Sequence, residues 1–297
     1  MQPAILIATI FLPWCLTFPV PPGTDLKRLD FVMDNFQQFF LPKKESPLLT
    51  QRKEIQFQQK FHLNETDVQN KQMLAMLHQP RCGVTDAATD SIFPGSSKWN
   101  KHTLTYRIIN YPREMKPDTV KDIMHDAVSV WSNVTPLIFQ QAKSQDADIT
   151  LSFWDLGEQL TWEGAYGVPA HGDDWPFDGP GGILGHAFLP DSEAPGVIHF
   201  DKGERWSNSY KGFNLFLVAI HELGHSLGLR HSRSQNSIMY PSYVYQDPRT
   251  FHLDVDDIQR IQQLYGVCLL EGRGISAGSF TGSLLFSSVP IRKKMFI

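Results

Sequence analysis

The most constraining feature of this 297-residue sequence is a short run with three histidines, HELGHSLGLRH, which begins at His221. His221 and His225 are four residues apart, so both imidazoles lie on one face of a helix and can reach one ion. Gly228 permits a sharp turn that returns His231 as a third ligand. Three protein ligands leave a fourth position for water, which is typical of a catalytic zinc site, and Glu222 is the predicted general base.

The composition indicates a folded protein, and the N-terminus indicates secretion. Hydrophobic residues make up 41% of the chain and charged residues 20%, which excludes a wholly disordered chain, a collagen or a disulfide-packed miniprotein. The net charge of −4 gives no electrostatic reason to expect a nucleic-acid partner. The apolar run at residues 5–16 has the length of a signal-peptide core; a buried N-terminal helix is the alternative, because no Lys or Arg precedes the run. We expect no membrane span, since no other apolar run is long enough.

Hydrophobic periodicity divides the chain into four predicted parts. Residues 1–17 are the signal peptide, 18–92 a helical part, 93–266 the domain with the histidine run, and 267–297 a Gly- and Ser-rich tail that we expect to be poorly ordered. The helical part contains three predicted helices, and an exposed linker at 87–97, a place where proteases cleave, follows them. In the third part we predict strands and helices in alternation, namely strands at 104–109, 138–139, 148–154 and 197–200, and helices at 117–131, 213–229 and 254–265.

Two further motifs resemble a known family. The sequence SIMYP resembles the Met-turn of metzincins, in which Met239 would lie under the zinc. PRCGVTD, which begins at Pro80, resembles the cysteine-switch motif PRCGVPD of matrix metalloproteinase propeptides. Together with KWNKHTLTYRIINYP and DGPGGILGHAFLP, these motifs make the chain similar to matrix metalloproteinases of the minimal matrilysin type up to about Gly266. The resemblance implies an α+β fold, the metzincin zinc-protease catalytic domain, with a twisted mixed five-stranded sheet and three helices at residues 93–266. It also implies that residues 18–92 are a three-helix propeptide with the cysteine switch and that no haemopexin domain follows.

The resemblance implies that the thiol of Cys82 fills the fourth zinc position in a latent form, since a thiolate is a strong zinc ligand. It also implies that Arg81 and Asp86 pair to hold the switch. Thr85 departs from the family pattern, which has Pro. The sequence leaves open a plain buried thiol at Cys82 or a disulfide to Cys268.

The resemblance also implies a structural zinc and a calcium site, both beyond the histidine run. The implied ligands are His171, Asp173, His186 and His199 for zinc, and Asp178, Gly179, Gly181, Ile183, Asp201 and Glu204 for calcium. Val197 stands where the family carries an aspartate for a second calcium, so we expect that second site to be weak or absent. About a dozen residues within 155–170 are extra relative to the family; they reshape the loop or are a splice or gene-model artefact.

The function implied by the resemblance is a secreted, zinc- and calcium-dependent endopeptidase made as a zymogen, and we expect a monomer. The implied partners are gelatin, fibronectin, type IV collagen and serpins as substrates, and tissue inhibitors of metalloproteinases. Substrate would add as a strand beside residues 183–188. Leu217 would form the floor of an apolar S1′ pocket, with Pro241 and Tyr243 as its outer wall.

Asn64 and Asn133 begin sequons and are possible glycosylation sites in a secreted chain. Three alternatives to the implied function make different demands on the sequence. A metal-binding protein without catalysis usually loses the base or a ligand, whereas Glu222 and the three histidines are intact. Astacins or adamalysins lack the PRCGVxD switch. An isoform with altered C-terminal behaviour stays open because of the tail.

Overall fold

The computed structural model of the protein describes residues 79–86, 97–143, 146–155 and 177–267. Several predicted features lie outside these residues, namely the signal peptide, the three propeptide helices, the tail, Asn64, His171, Asp173 and Cys268. The extra residues of the loop before His171 also lie outside them. No helix in the described part of the chain is both long and apolar enough to span a membrane.

Six strands form one mixed sheet in the order β1-β5-β6-β4-β2-β3. The strands of this sheet are β1 Arg81–Cys82, β2 Thr103–Ile108, β3 Ile138–Gln141, β4 Ile149–Trp154, β5 Ile183–Ala187 and β6 Val197–Asp201. Strand β5 runs antiparallel to β6, and the other neighbours run parallel. A separate pair consists of β7 Trp206–Ser207 and β8 Phe213–Asn214. Five strands of the large sheet come from the predicted catalytic domain. Residues 80–86, called the switch segment below, add β1 to the edge of these five strands.

The burial of each strand follows its place in the sheet. Along β2 the residues alternate, with Leu104, Tyr106 and Ile108 buried and the intervening residues more exposed. Strand β5 is buried throughout, and β6 nearly so, because both faces of these central strands are covered.

Within the described residues, three helices accompany the sheet: α1 Pro117–Ser132, α2 Leu215–Ser226 and α3 Val255–Tyr265. Pro at the first turn starts α1, and a capping box between Asp254 and Asp257 starts α3. Helix α2 is buried on almost every side and packs against α1 and β5. Trp131 of α1 is fully buried and donates from Nε1 to Ile220 O of α2 (3.1 Å). This packing fixes α2 beneath the sheet edge that carries β1 and β5.

The predicted α+β class is correct, and the structure changes some of its details. The helix expected at 213–229 is shorter at both ends. Phe213 and Asn214 pair with β7 before α2 begins, and the chain turns at Gly228 (φ 101°) after α2 ends at Ser226. The last residue of the predicted exposed linker, Ser97, is buried and donates from Oγ to Asp191 Oδ1 (2.5 Å). No strand was predicted at Arg81–Cys82, where β1 forms.

Candidate active site

Helix α2 carries the first two histidines of the HELGHSLGLRH run to one point. Its N-cap, Asn214, accepts hydrogen bonds from Phe216 N (3.1 Å) and Leu217 N (3.4 Å), which fixes the start of the helix. One turn apart on this helix, His221 Nε2 and His225 Nε2 lie 3.1 Å from each other. The structure therefore brings these two predicted ligands together as the spacing of the sequence requires.

A glycine turn returns the third histidine. Gly228 has φ of 101°, and a Cβ atom there would overlap Ser97 O, so a residue with a side chain would displace the neighbouring chain. After this turn His231 lies against the other two rings, with ring centroids 5.3 Å from His221 and 4.7 Å from His225. The role predicted for Gly228 matches the conformation that the structure gives it.

Hydrogen bonds at Nδ1 decide which nitrogen of each ring faces the cluster. His221 Nδ1 lies 2.6 Å from Ile238 O, and His225 Nδ1 lies 2.7 Å from Leu229 O. A carbonyl oxygen only accepts, so both Nδ1 atoms donate and both Nε2 atoms keep a free lone pair. Burial lowers the pKa of His221 to about 3 and that of His225 well below its usual value, which keeps both rings neutral.

Cys82 completes a group of four possible metal ligands. Its Sγ and one nitrogen from each of His221, His225 and His231 all lie within 4.8 Å of one another, and all four side chains are buried. A tetrahedral zinc site with Zn–N bonds near 2.0–2.1 Å places two nitrogens about 3.3 Å apart, close to the 3.1 Å that separates His221 and His225. Donor chemistry and spacing therefore fit zinc.

Glu222 lies beside the cluster, and only one of its two carboxylate oxygens has a hydrogen-bond partner among the described residues. Oε2 lies 3.6 Å from Cys82 Sγ, whereas the fully buried Oε1 has no hydrogen-bond partner among the described residues. Burial raises the pKa of Glu222 to about 8, and burial also raises the pKa of the Cys82 thiol. A zinc ion held by the cluster would favour the ionised forms of both groups, and a carboxylate with an unused oxygen beside it has the placement of a general base.

The switch segment lies in the cleft as a strand paired on both sides. On the side of β5, Arg81 N donates to Gly182 O (2.8 Å) and Gly83 N donates to Gly185 O (2.7 Å). On the other side, Cys82 N donates to Pro241 O (2.9 Å) and Tyr243 N donates to Pro80 O (2.7 Å). The cleft therefore accepts an extended peptide, and here residues 80–83 fill it.

Arg81 and Asp86 meet as the resemblance implied. Arg81 Nη2 lies 2.6 Å from Asp86 Oδ2, and both side chains are buried. Thr85, in the position where Pro was expected, does not open this pair. Asp86 makes a second contact that the sequence did not suggest, because its Oδ1 lies 2.5 Å from His231 Nδ1.

The loop with Met239 packs against α2 beside His221, and two residues that the sequence analysis did not identify, Gly224 and Asp257, set its position. A Cβ at Gly224 would overlap Met239 Sδ, so the glycine inside HELGH lets the methionine come close to α2. The carboxylate of Asp257 in α3 accepts hydrogen bonds from Ile238 N (2.9 Å) and from the hydroxyl of Ser237. Asp257 also belongs to the capping box that starts α3, and nothing in the local sequence points from it to this loop.

Comparison with known proteins identifies the family. A model of the matrixin family, peptidase family M10, matches residues 98–266, which is more than half of the chain. The chain belongs to the matrixin family. It is 64% identical over 266 residues to matrix metalloproteinase-26 from Homo sapiens, across 90% of this chain and 97% of that protein. This match agrees with the minimal matrilysin type predicted from the motifs.

Two longer relatives are also similar to this matrixin. Macrophage metalloelastase from Oryctolagus cuniculus is 48% identical over 211 residues, 71% of this chain and 43% of the elastase. Stromelysin-1 from Mus musculus is 44% identical over 229 residues, 76% of this chain and 45% of the stromelysin. The chain thus spans less than half of these two relatives. The matrixin is a zinc-dependent metalloendopeptidase, and the astacin and adamalysin alternatives are set aside.

A pocket opens beside the candidate zinc site of the matrixin, under the switch segment. Leu217, predicted as its floor, is buried and lines it, as do Pro241 and Tyr243. Tyr243 OH accepts from Asn214 N (3.0 Å), which ties the outer wall to the start of α2. The apolar part of the lining also includes Leu184, Val218, Ile238 and Val244. Its polar part consists of Arg81, His221, Glu222, Gln235, Ser237, Ser242 and Gln246.

The predicted calcium ligands lie together in a glycine loop, defined here as residues 178–183 with Asp201 and Glu204. Their carboxylates accept from backbone N–H groups of the loop, namely Asp178 from Ile183 N (2.9 Å), Asp201 from Gly179 N (3.1 Å) and Glu204 from Gly181 N (2.6 Å). Burial is the main cause that raises the pKa of all three carboxyls, to about 6 for Asp201 and about 7 for Glu204, and their mutual repulsion raises the Asp201 and Glu204 values further. In the described part of the chain, only the Cys82 cluster brings three or more ligand atoms within 4.8 Å of one another.

Two of the four predicted structural-zinc ligands lie within the described residues. His186 Nε2 and His199 Nδ1 are 3.2 Å apart on the antiparallel strands β5 and β6. This distance is close to the roughly 3.3 Å of a tetrahedral zinc site. Phe177 stacks on His186 with ring centroids 5.0 Å apart, which orients the ring.

Proposed function

We propose that this matrixin is made as the zymogen of a secreted, zinc- and calcium-dependent endopeptidase that hydrolyses peptide bonds of extracellular matrix and related proteins. The observation that carries the proposal is the position of Cys82, whose Sγ lies among three histidine ligands and 3.6 Å from Glu222. A thiolate in that position occupies the place that a water molecule needs for hydrolysis.

In the proposed reaction, His221, His225 and His231 hold the catalytic zinc. Zinc supplies a Lewis acid that polarises the scissile carbonyl and lowers the pKa of water. Glu222 accepts the proton of the attacking water at a carboxylate oxygen and then gives that proton to the leaving amine. The fully buried Oε1 of Glu222 supports this role. No covalent intermediate with the protein is needed.

Latency follows from the switch segment in two ways. Cys82 blocks the fourth ligand position, and residues 80–83 occupy both hydrogen-bonding edges of the cleft. A substrate peptide would need the same edges, which are Gly182 and Gly185 at β5 (Gly182 directly precedes the strand) and Pro241 and Tyr243 opposite. Cleavage between Asp86 and Phe93 would release the switch segment. Both the fourth ligand position and the hydrogen-bonding edges of the cleft would then be open to water and substrate.

The pocket beside the zinc site supports a preference for apolar residues at P1′. A dry apolar slot gains about 0.8 kcal/mol for each buried methylene, whereas a charged side chain loses its hydration there. We therefore propose Leu, Ile or Met at P1′, with Leu217 as the floor of the pocket. Gelatin, fibronectin, type IV collagen and serpins are the proposed substrates, tissue inhibitors of metalloproteinases the proposed inhibitors, and triple-helical fibrillar collagen a poor substrate.

The remaining metals are proposed to be structural. His186 and His199, with His171 and Asp173, would close a zinc shell that leaves no room for water. The glycine loop would hold one calcium, which offsets the repulsion among Asp178, Asp201 and Glu204.

Secretion and glycosylation belong to the same proposal. Asn133 is exposed at the C-terminus of α1, so a glycan there would meet solvent. The enzyme is proposed to act outside the cell as a monomer.

The decisive experiment for the catalytic role is Glu222→Gln. Because Gln is not a base but has nearly the same shape, the processed variant should keep its zinc and lose about 10²–10⁴-fold in kcat. Zinc content by atomic absorption and hydrolysis of a fluorogenic peptide measure the two quantities on one sample. Glu193→Gln, at an exposed position, is the matched control and should behave as wild type. A Glu222→Gln enzyme with normal zinc and most of its kcat would contradict the mechanism.

A further inference from the structure

Asp86 holds two residues at once, with one carboxylate oxygen for each. Oδ2 lies 2.6 Å from Arg81 Nη2 and Oδ1 lies 2.5 Å from His231 Nδ1. The side chains of Asp86 and His231 are fully buried, and that of Arg81 is 5% exposed. The carboxylate therefore links the switch segment to the third histidine of the cluster, and its charge is balanced by the guanidinium of Arg81.

The three histidines differ in what holds Nδ1. For His221 and His225 the acceptor is a backbone carbonyl of the catalytic domain, Ile238 O or Leu229 O. For His231 an acceptor is a carboxylate 145 residues upstream, in the segment that precedes the predicted cleavage region. A carboxylate makes the imidazole a stronger metal ligand than a carbonyl does, and loss of such a partner typically costs 10–100-fold in metal affinity.

We infer that Asp86 is a positioning residue for His231. The propeptide then supports a histidine ligand of the catalytic domain in addition to contributing Cys82. Removal of the propeptide takes away two contacts, namely the thiol of Cys82 at the fourth ligand position and the carboxylate of Asp86 on His231. The full chain should accordingly retain its metal more firmly than the processed enzyme, and part of that difference should belong to Asp86 alone. This inference rests on the proposed zymogen site.

Asp86 also has a possible purely structural role, which is to hold the switch loop closed through Arg81. The two roles predict different outcomes for Arg81. If Asp86 acts on His231, then Arg81→Met leaves that contact in place. If Asp86 acts only through Arg81, the variants at the two positions should have the same effects.

The test uses the unprocessed full chain, verified by mass, with Co²⁺ in place of zinc. A sulfur-to-cobalt absorption band arises only where Cys82 is a ligand, so its decay in excess chelator reports metal loss from this cluster. We expect Asp86→Ala to speed the decay by about 10–100-fold. Asp86→Asn should have a smaller effect, because its amide oxygen still accepts from Nδ1, and Arg81→Met should have the smallest.

A second readout on the zinc-loaded full chain observes the hydrogen bond itself. With ¹⁵N-labelled histidine, the Nδ1 proton of His231 should resonate far downfield, move upfield in Asp86→Asn, and stay in place in Arg81→Met. A resonance that Asp86→Asn leaves unchanged, or a cobalt decay that is equal in Asp86→Ala and Arg81→Met, would overturn the inference alone. Absence of the sulfur-to-cobalt band from the wild-type full chain would overturn the zymogen site and this inference together.

Discussion

The Cys82 cluster and the glycine loop are both candidate metal sites, and they are built differently. In the cluster, backbone carbonyls orient the rings of His221 and His225, and one ligand atom from each of four side chains lies within 4.8 Å of the others. In the glycine loop, the carboxylates of Asp178, Asp201 and Glu204 each accept a hydrogen bond from a backbone N–H. The cluster is thus pre-organised for its metal, whereas the loop holds buried acidic groups whose repulsion a cation would relieve. Catalytic geometry should depend on packing around α2, and stability on calcium.

The largest expected effect comes from breaking the packing under the cluster with Gly224→Ala. An exposed Gly→Ala change in a helix stabilises by about 1 kcal/mol. Here the new Cβ would overlap Met239 Sδ and lie 3.1 Å from Trp131. We expect a net loss of about 1–3 kcal/mol in the free energy of unfolding, measured by urea denaturation.

The matched control is the double variant Gly224→Ala with Met239→Ala. If the overlap is the cause, the double variant should be less destabilised than the sum of the two single variants. Simple additivity, or a stabilised Gly224→Ala, would show that Met239 does not limit this site.

The next prediction concerns the pH dependence of stability without calcium. The raised pKa values of about 6 for Asp201 and about 7 for Glu204 mean that the folded state binds protons more tightly than the unfolded state. The stability that these two carboxyls contribute should therefore fall as pH rises from about 4 to about 7, and the difference between wild type and Glu204→Gln isolates it from the opposite contribution of the buried histidines. Calcium binds the ionised carboxylates, so its stabilising effect on the melting temperature should be larger at pH 8 than at pH 5.

This experiment compares melting curves with and without calcium at constant zinc. Glu204→Gln removes one of the repelling charges and should flatten the fall in stability while weakening the calcium effect. An equal calcium effect at pH 5 and pH 8 would argue against the carboxylates of the glycine loop as its source.

The smallest expected change concerns specificity and should leave both metal regions intact. Leu217→Arg should shorten the S1′ pocket and shift the P1′ preference towards smaller side chains, by roughly fourfold in kcat/KM for each methylene lost. Leu217→Met conserves volume and is the control. A peptide library on the processed enzyme measures the preference. A wild-type preference for Lys, Arg or Asp at P1′ would show that the pocket is wrongly assigned.

Local spacing was enough to predict the parts of the site that lie on one element. His221 and His225 follow from helical periodicity and His231 from the glycine turn, and the family model confirms the fold that the motifs implied. Helix α3 also agrees with its prediction to within one residue.

Contacts between distant segments could not be predicted from the sequence. Strand β1 has two residues and no alternating hydrophobic pattern. It forms through hydrogen bonds to partners about 100 residues or more further along the chain, and the local sequence does not identify them. The contact from Asp86 to His231 and the support of the Met239 loop by Asp257 are invisible for the same reason. In the glycine loop the sequence indicates acidic ligands, but not that backbone N–H groups compete for them.

The central claim is that Cys82 occupies the position needed for hydrolysis, and the activity of the unprocessed chain tests it most directly. Full-length wild type, Cys82→Ser and the processed enzyme should be assayed on one fluorogenic peptide, with chain length verified by mass. We predict that unprocessed wild type is silent and gains activity on treatment with a thiol-modifying reagent. We also predict that unprocessed Cys82→Ser is active without treatment, because a hydroxyl is a poor zinc ligand. Full activity of unprocessed wild type would contradict the account, and Thr85 would then be the first position to restore to Pro.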